Sequence, residues 1–99
     1  MSVLDKVKLI EDRYEELNRL MADPELVGDH VRLTEYAQEQ AELAELVQDY
    51  RTYLSLEQEL SDTRELMEME DEPEMLEMAE ADVTRISSAM EALYDRIRR

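Results

Sequence analysis

Residues 30–69 read HVRLTEYAQEQAELAELVQDYRTYLSLEQELSDTRELMEM, forty positions with neither Gly nor Pro. This stretch decides the fold. Its first row is Leu33, Tyr36, Gln40, Leu43, Val47, Tyr50 and Leu54, in alternating steps of three and four. Such spacing is the seam of one helix packed on another. Past that point the favoured register slips by one residue, to Tyr53, Leu60 and Met67, each seven apart. A slipped seam offers a new face, so the two halves of the helix should pack on different neighbours. Unbroken, the stretch would span about 60 Å. A break near residue 45 would give a compact bundle instead, and the pattern admits both.

The neighbours lie on either side in the chain. Upstream, Val3, Val7, Ile10, Tyr14, Leu17 and Met21 keep the same alternation, which predicts a helix over about residues 3–22. Ser2 can cap it, with Asp5 as a short relative of the capping-box acid. Asp23 precedes Pro24 and is driven out of the α region, so the helix stops there. Asp23 to Gly28 reads as a loop, with Gly28 giving flexibility and Asp29 a favoured N-cap for a helix over 29–69. Downstream, Glu70-Asp71-Glu72-Pro73 ends the long helix, with the proline in the first turn of the next and the acids at its positive end. Leu76, Ala79, Val83, Ile86, Met90, Leu93 and Ile97 then predict a last helix over 73–98, with Arg96, Arg98 and Arg99 at its carboxyl end.

The outer helices, about 30 and 37 Å long, nearly match the middle one when laid end to end. The expected architecture is all-α, three antiparallel amphipathic helices forming an elongated hairpin or bundle, one helical domain over 1–99. A three-sided core would close near Val47 to Tyr53. The expected core is Ile10, Tyr14, Leu17, Leu43, Val47, Tyr50, Ile86, Met90 and Leu93.

Composition supports this and excludes other classes. With 43% apolar and 38% charged residues, one Gly and two Pro, the chain is too apolar for a disordered acidic tail and too charged for a large globular core. Ninety-nine residues leave room for one modest core and no closed catalytic cavity. Cysteine is absent, which removes disulfides, thiolate metal sites and a thiol nucleophile. No stretch approaches the roughly 18 apolar residues of a membrane span, and no signal-peptide pattern opens the chain. A soluble, cytoplasmic protein is expected.

The motifs of catalysis fail one by one. The carboxylates fall where the apolar stripes leave positions to solvent, and His30 stands alone in a first helical turn. A carboxylate di-metal bundle needs Glu-x-x-His, but Val27 lies three residues before His30. Gly28 alone makes no phosphate loop. No catalytic residue, cofactor or metal is expected.

The acids are unevenly placed. Between Glu57 and Asp82 stand twelve acids and one base, Arg64, a net of −11. Such a surface repels nucleic acid phosphates, so the partner at this end should be a basic protein and not RNA or DNA. The more mixed end near Arg13, Arg19 and Arg32 tolerates RNA nearby. Met67, Met69, Met75 and Met78 cluster at the second turn, where flexible thioethers can form an adaptable binding face. Met67 and Met78 fall on or beside the apolar stripes, where they read as core filler. Tyr50 and Tyr53 read as core with hydroxyls at the rim. The candidate partner-binding set is Glu70, Glu72, Glu74, Met75 and Met78.

One ordered set of short motifs resembles a known family. Arg13-Tyr14-Glu15-Glu16-Leu17, Met21-Ala22-Asp23-Pro24-Glu25, Gly28-Asp29, Leu46-Val47-x-x-Tyr50-Arg51-x-Tyr53 and Glu72-Pro73-Glu74-Met75-x-x-Met78-Ala79 are similar to the N-terminal domain of the bacterial class-1 peptide chain release factors. Each motif is short and helix-friendly; their order over the whole chain makes the likeness. The tyrosine pair and the Pro-Glu-Met-x-x-Met-Ala run resemble the branch that reads UAA and UAG more than the UGA-reading branch. Ala44-Glu45-Leu46 departs from a frequent Glu-Pro-Ile, which favours an unbroken middle helix, and Val31 to Gln40 is less basic than usual.

The resemblance implies translation termination. In the family a tripeptide in a later domain reads the stop codon, and a Gly-Gly-Gln loop promotes peptidyl-tRNA hydrolysis; neither Gly-Gly-Gln nor Pro-x-Thr occurs in these residues. The expected role is therefore not catalytic. The family's first domain lies toward the ribosomal stalk base, so the implied partners are a basic stalk-base protein and the class-2 release factor GTPase that recycles the factor. A free-standing acidic adaptor, a coiled-coil chaperone-like subunit and an acidic nucleic-acid mimic would explain the charge and helicity without the loop motifs. Continuation past Arg99 into a Gly-Gly-Gln-containing frame separates them.

Overall fold

The computed structural model describes residues 1–99. Three α-helices follow one another: α1 (Val3–Met21), α2 (His30–Met69) and α3 (Pro73–Ile97), with a 3-10 turn at Pro24–Leu26. The helices begin and end within a residue of the positions read from the pattern. α2 runs unbroken through residue 45, because Ala44-Glu45-Leu46 has no proline to remove a backbone donor.

The helix starts are held by short side chains. The Asp5 N–H donates to Ser2 Oγ at 3.1 Å and the Ser2 N–H donates to Asp5 Oδ2 at 3.2 Å, a complete capping box. The Arg32 N–H donates to Asp29 Oδ1 at 3.1 Å, so Asp29 caps α2. Between them the expected plain loop is tighter. Asp23 is extended ahead of Pro24 and accepts from the Glu25 N–H at 3.0 Å, starting the 3-10 turn. Gly28 has no positive φ, and a Cβ there would meet nothing within 4 Å.

The chain divides into two compact units, Met1–Tyr50 and Arg51–Arg99. In the first, α1 and the first part of α2 form an antiparallel hairpin around Val7, Leu17, Val47 and Tyr50. Arg13 crosses to Glu39 with two parallel bonds, Nε to Oε2 at 2.6 Å and Nη2 to Oε1 at 2.8 Å, and also reaches Glu16. Gln40, the polar member of the seam, donates to the Tyr14 carbonyl at 3.4 Å and to the Asn18 side chain. Its place in the row thus needs no apolar side chain.

In the second unit, the rest of α2 runs antiparallel to α3. Ile86 is fully buried and Ile97 nearly so. The Tyr53 and Tyr94 rings lie 6.2 Å apart, and the Arg98 guanidinium is 6.0 Å from the Tyr94 ring. The register slip is visible here, since Leu54 is 39% exposed while Tyr53, Leu60 and Met67 are partly covered. Of the nine expected core residues, Leu17, Val47, Tyr50 and Ile86 are buried; Ile10, Tyr14, Leu43, Met90 and Leu93 are half-buried. Val7 and Ile97, on the same stripes, are buried instead. No helix is long and apolar enough to cross a membrane.

Candidate docking face at the second turn

The chain reverses between Met69 and Pro73 in three residues. Pro73 opens α3, where its missing N–H costs nothing, and Glu72 before it is extended, as a pre-proline residue must be. The Glu72 side chain makes no capping bond; its N–H donates to Glu70 Oε1 at 3.0 Å, and its carbonyl accepts from the Leu76 N–H at 3.0 Å. Glu70 therefore holds the turn.

Beside this turn α2 and α3 leave a groove of about 220 Å³. Leu66, Met67, Met75, Met78 and Ala79 line it, with Thr63 and the carboxylates Glu70 and Asp82. Its apolar side chains stand in water: Leu66 is 63% exposed, Met75 47%, Met78 64%, and nearby Met69 74%. Met78 is thus not core filler. The covered row of α3 passes through Ala79, and a one-residue offset turns a side chain about 100° round a helix. Met67, on the seam, is half-buried as expected.

The structure brings Glu70, Met75 and Met78 together at one groove. Glu72 and Glu74 are exposed at the turn and the start of α3, and do not line it. Leu66 was missed from sequence because it lies off the slipped stripe; its signal was a leucine among acids one place before a seam residue. The one cation reaching into the Glu57 to Asp82 acids from α3 is Arg85, 2.8 Å from Glu59 and 3.8 Å from Asp82. Glu65, Glu68, Asp71, Glu72, Glu74, Glu77 and Glu80 are exposed with no cation in ion-pair reach.

Elsewhere the chemistry is that of a surface. His30 is exposed, and no group of three or more His, Asp or Glu side chains is placed to hold a metal ion. A second, open groove of about 400 Å³ lies along Tyr53, Leu60, Met90 and Tyr94. Arg13 is committed to Glu39 and Glu16, and its guanidinium holds the Glu39 carboxyl below the usual carboxylate range.

Comparison with known proteins adds the family. The pattern of the PCRF domain matches residues 10–99, which takes in α1 from Ile10 onward and the whole of α2 and α3. The chain belongs to the PCRF domain family. Relatives of this PCRF chain include proteins named peptide chain release factor 1 from Bacillus licheniformis, 41% identical over 96 residues, and Lysinibacillus sphaericus, 38% identical over 96. That of Bacillus subtilis is 36% identical over 96 residues. Each alignment covers 97% of this chain and 27% of the relative, so the chain spans about a quarter of the length of these proteins. No solved structure matches it.

Proposed function

We propose that this chain is the docking domain of a peptide chain release factor that acts in translation termination at UAA and UAG codons. The observation that carries this reading is the PCRF match over residues 10–99 together with relatives that bear the release factor 1 name. Residues 1–99 act as one helical domain that does no chemistry; codon reading and hydrolysis belong to the rest of the factor. The chain's part is to engage a basic ribosomal protein at the stalk base and the class-2 release factor GTPase.

Physical chemistry supports the choice of face. The exposed acids of 57–82 raise a negative potential that attracts a basic protein and repels rRNA. Arg13 and Arg32 are engaged with Glu39 and Asp29 in the other unit, which leaves fewer cations for RNA there. Glu72 and Glu74 are the acids to test, because Glu70 also holds the turn. In the full-length factor, Glu72→Lys with Glu74→Lys should weaken GTPase-stimulated recycling or stalk-base docking while codon-dependent peptide release persists. The loss should shrink with added salt, since exposed charges are screened over about 8–10 Å at ordinary ionic strength. Equal effects on both steps, or on neither, would remove the acidic face from the mechanism. Peptide release by the 99-residue chain alone would remove the division of labour.

A further inference from the structure

The ion pair Arg85–Glu59 bridges α2 and α3 at the solvent margin of their seam. Leu66 stands seven residues after Glu59, and Met78 seven before Arg85. Seven residues return a helix to the same face, so Leu66 and Met78 occupy, one heptad nearer the turn, the positions that the ion pair takes. Charged side chains there would bridge the hairpin; instead there are two apolar ones, each more than 60% exposed. Met75 extends the patch on the same side. The opposite margin, Ser61, Arg64 and Glu68 on α2 and Glu77, Glu80 and Thr84 on α3, is polar and exposed throughout. The apolar surface is therefore one-sided and lies where a third helix would rest on the pair.

We propose that this groove receives one cationic amphipathic α-helix of a partner protein, which seats aliphatic side chains between Leu66 and Met78 and sets its Lys and Arg against the acids around them. The inference rests on the docking reading above and specifies the shape of the ligand. Two antiparallel helices with an apolar slot offer a ridge-and-groove surface to a third, read by anchors at i, i+3 or i+4, and i+7. Methionine fits this use, because its unbranched thioether re-packs around differing anchors at low cost. Charge selects the sign of the occupant: Asp62, Glu70 and Asp82 lie on the groove or on the turn of helix adjoining it, inside the −11 segment. A second copy of this chain would bring the same −11 against it, and a nucleic acid would bring phosphates.

The test uses the 99-residue chain and two synthetic 18-residue peptides with equal numbers of Lys. One is helical and amphipathic with a Leu stripe; the other has Ser at every Leu position. Fluorescence anisotropy should show saturable binding of the first and at least tenfold weaker binding of the second. Leu66→Gln with Met78→Gln, both at exposed sites and checked for helicity by circular dichroism, should weaken the first peptide about tenfold, the loss of a central apolar contact. Ser61→Gln with Thr84→Gln, on the opposite margin, should leave it unchanged. Binding should fall with salt yet survive at about 0.5 M, where the ionic part is largely screened. Equal affinity for both peptides, insensitivity to Leu66→Gln with Met78→Gln, no binding, or apolar self-association of the chain in sedimentation would each overturn the helix-in-groove inference. These failures stand apart from the docking reading, because charge reversal in the full-length factor can still impair recycling when no helix binds here.

Discussion

The two units carry equal charge and arrange it differently. Residues 1–50 hold 13 acids and 5 bases, and residues 51–99 hold 14 acids and 6 bases, so each stands at −8. In the first, cations are interleaved with acids: Lys8 reaches Glu11 and Asp12, Arg13 reaches Glu16 and Glu39, and Arg32 reaches Asp29. In the second, Arg51, Arg85, Arg96, Arg98 and Arg99 lie outside the 57–82 segment, which keeps only Arg64. Net charge therefore does not locate a docking face. Segregation sets the units apart, since separated like charges raise a directed potential while interleaved ones cancel within a Debye length.

The largest expected effect tests whether the units are separate. Leu17 and Ile86 are both fully buried, one in each unit. Leu17→Ala and Ile86→Ala should each lower unfolding free energy by about 2–5 kcal/mol in chemical denaturation. Hydrogen exchange should show protection falling first in residues 1–50 for the former and in 51–99 for the latter. Equal loss in both from either substitution would make the chain one cooperative unit and end the comparison.

Next in size are the helix starts, which the units secure differently. Asp29 caps α2 with its carboxylate, whereas Glu72 makes no side-chain cap and Pro73 fixes the backbone. Asp29→Ala should cost about 0.5–2 kcal/mol. Glu72→Ala should stay within about 0.5 kcal/mol. Thermal or denaturant midpoints of the two variants decide it, and a reversed order would show that the turn depends on Glu72 more than on Pro73.

Smaller effects follow from charge placement. Added salt at neutral pH should slow amide exchange within 57–82 by screening repulsion among unpaired acids, with no such gain around Arg13 and Glu39, where it weakens an attraction. Uniform slowing in both regions would blur the contrast. The pH dependence is smallest, and Glu39 in the first unit carries it. Because Arg13 holds the folded Glu39 carboxyl below its ordinary range, the contribution of Glu39 is complete above that range and is lost as pH falls through the lowered value. Glu39→Gln should remove that acid-side loss, so wild type and variant should differ at neutral pH and converge at the acid end of a stability titration. Parallel curves would show that the pair is not coupled to folding.

What the sequence by itself determined is local. Helix starts and stops were legible because capping groups, prolines and their targets lie within four residues of one another, as Ser2 with Asp5 and Asp23 with Pro24 do. Seam rows were legible because helix geometry turns spacing into facing, including the slip to Tyr53, Leu60 and Met67, although Leu54, read as the last member of the first row, is exposed. Tertiary structure alone decided what faces solvent beside those rows and which distant groups meet. Spacing left Met78 beside a stripe, and only the position of α2 against α3 makes it 64% exposed and gathers it with Leu66 and Glu70. Arg13 has acids on every side in sequence and bonds its neighbour Glu16, yet it also takes Glu39, 26 residues away, because the hairpin register brings that carboxylate into bidentate reach. Exposure and pairing depend on the neighbour's surface, which no single stretch of chain encodes.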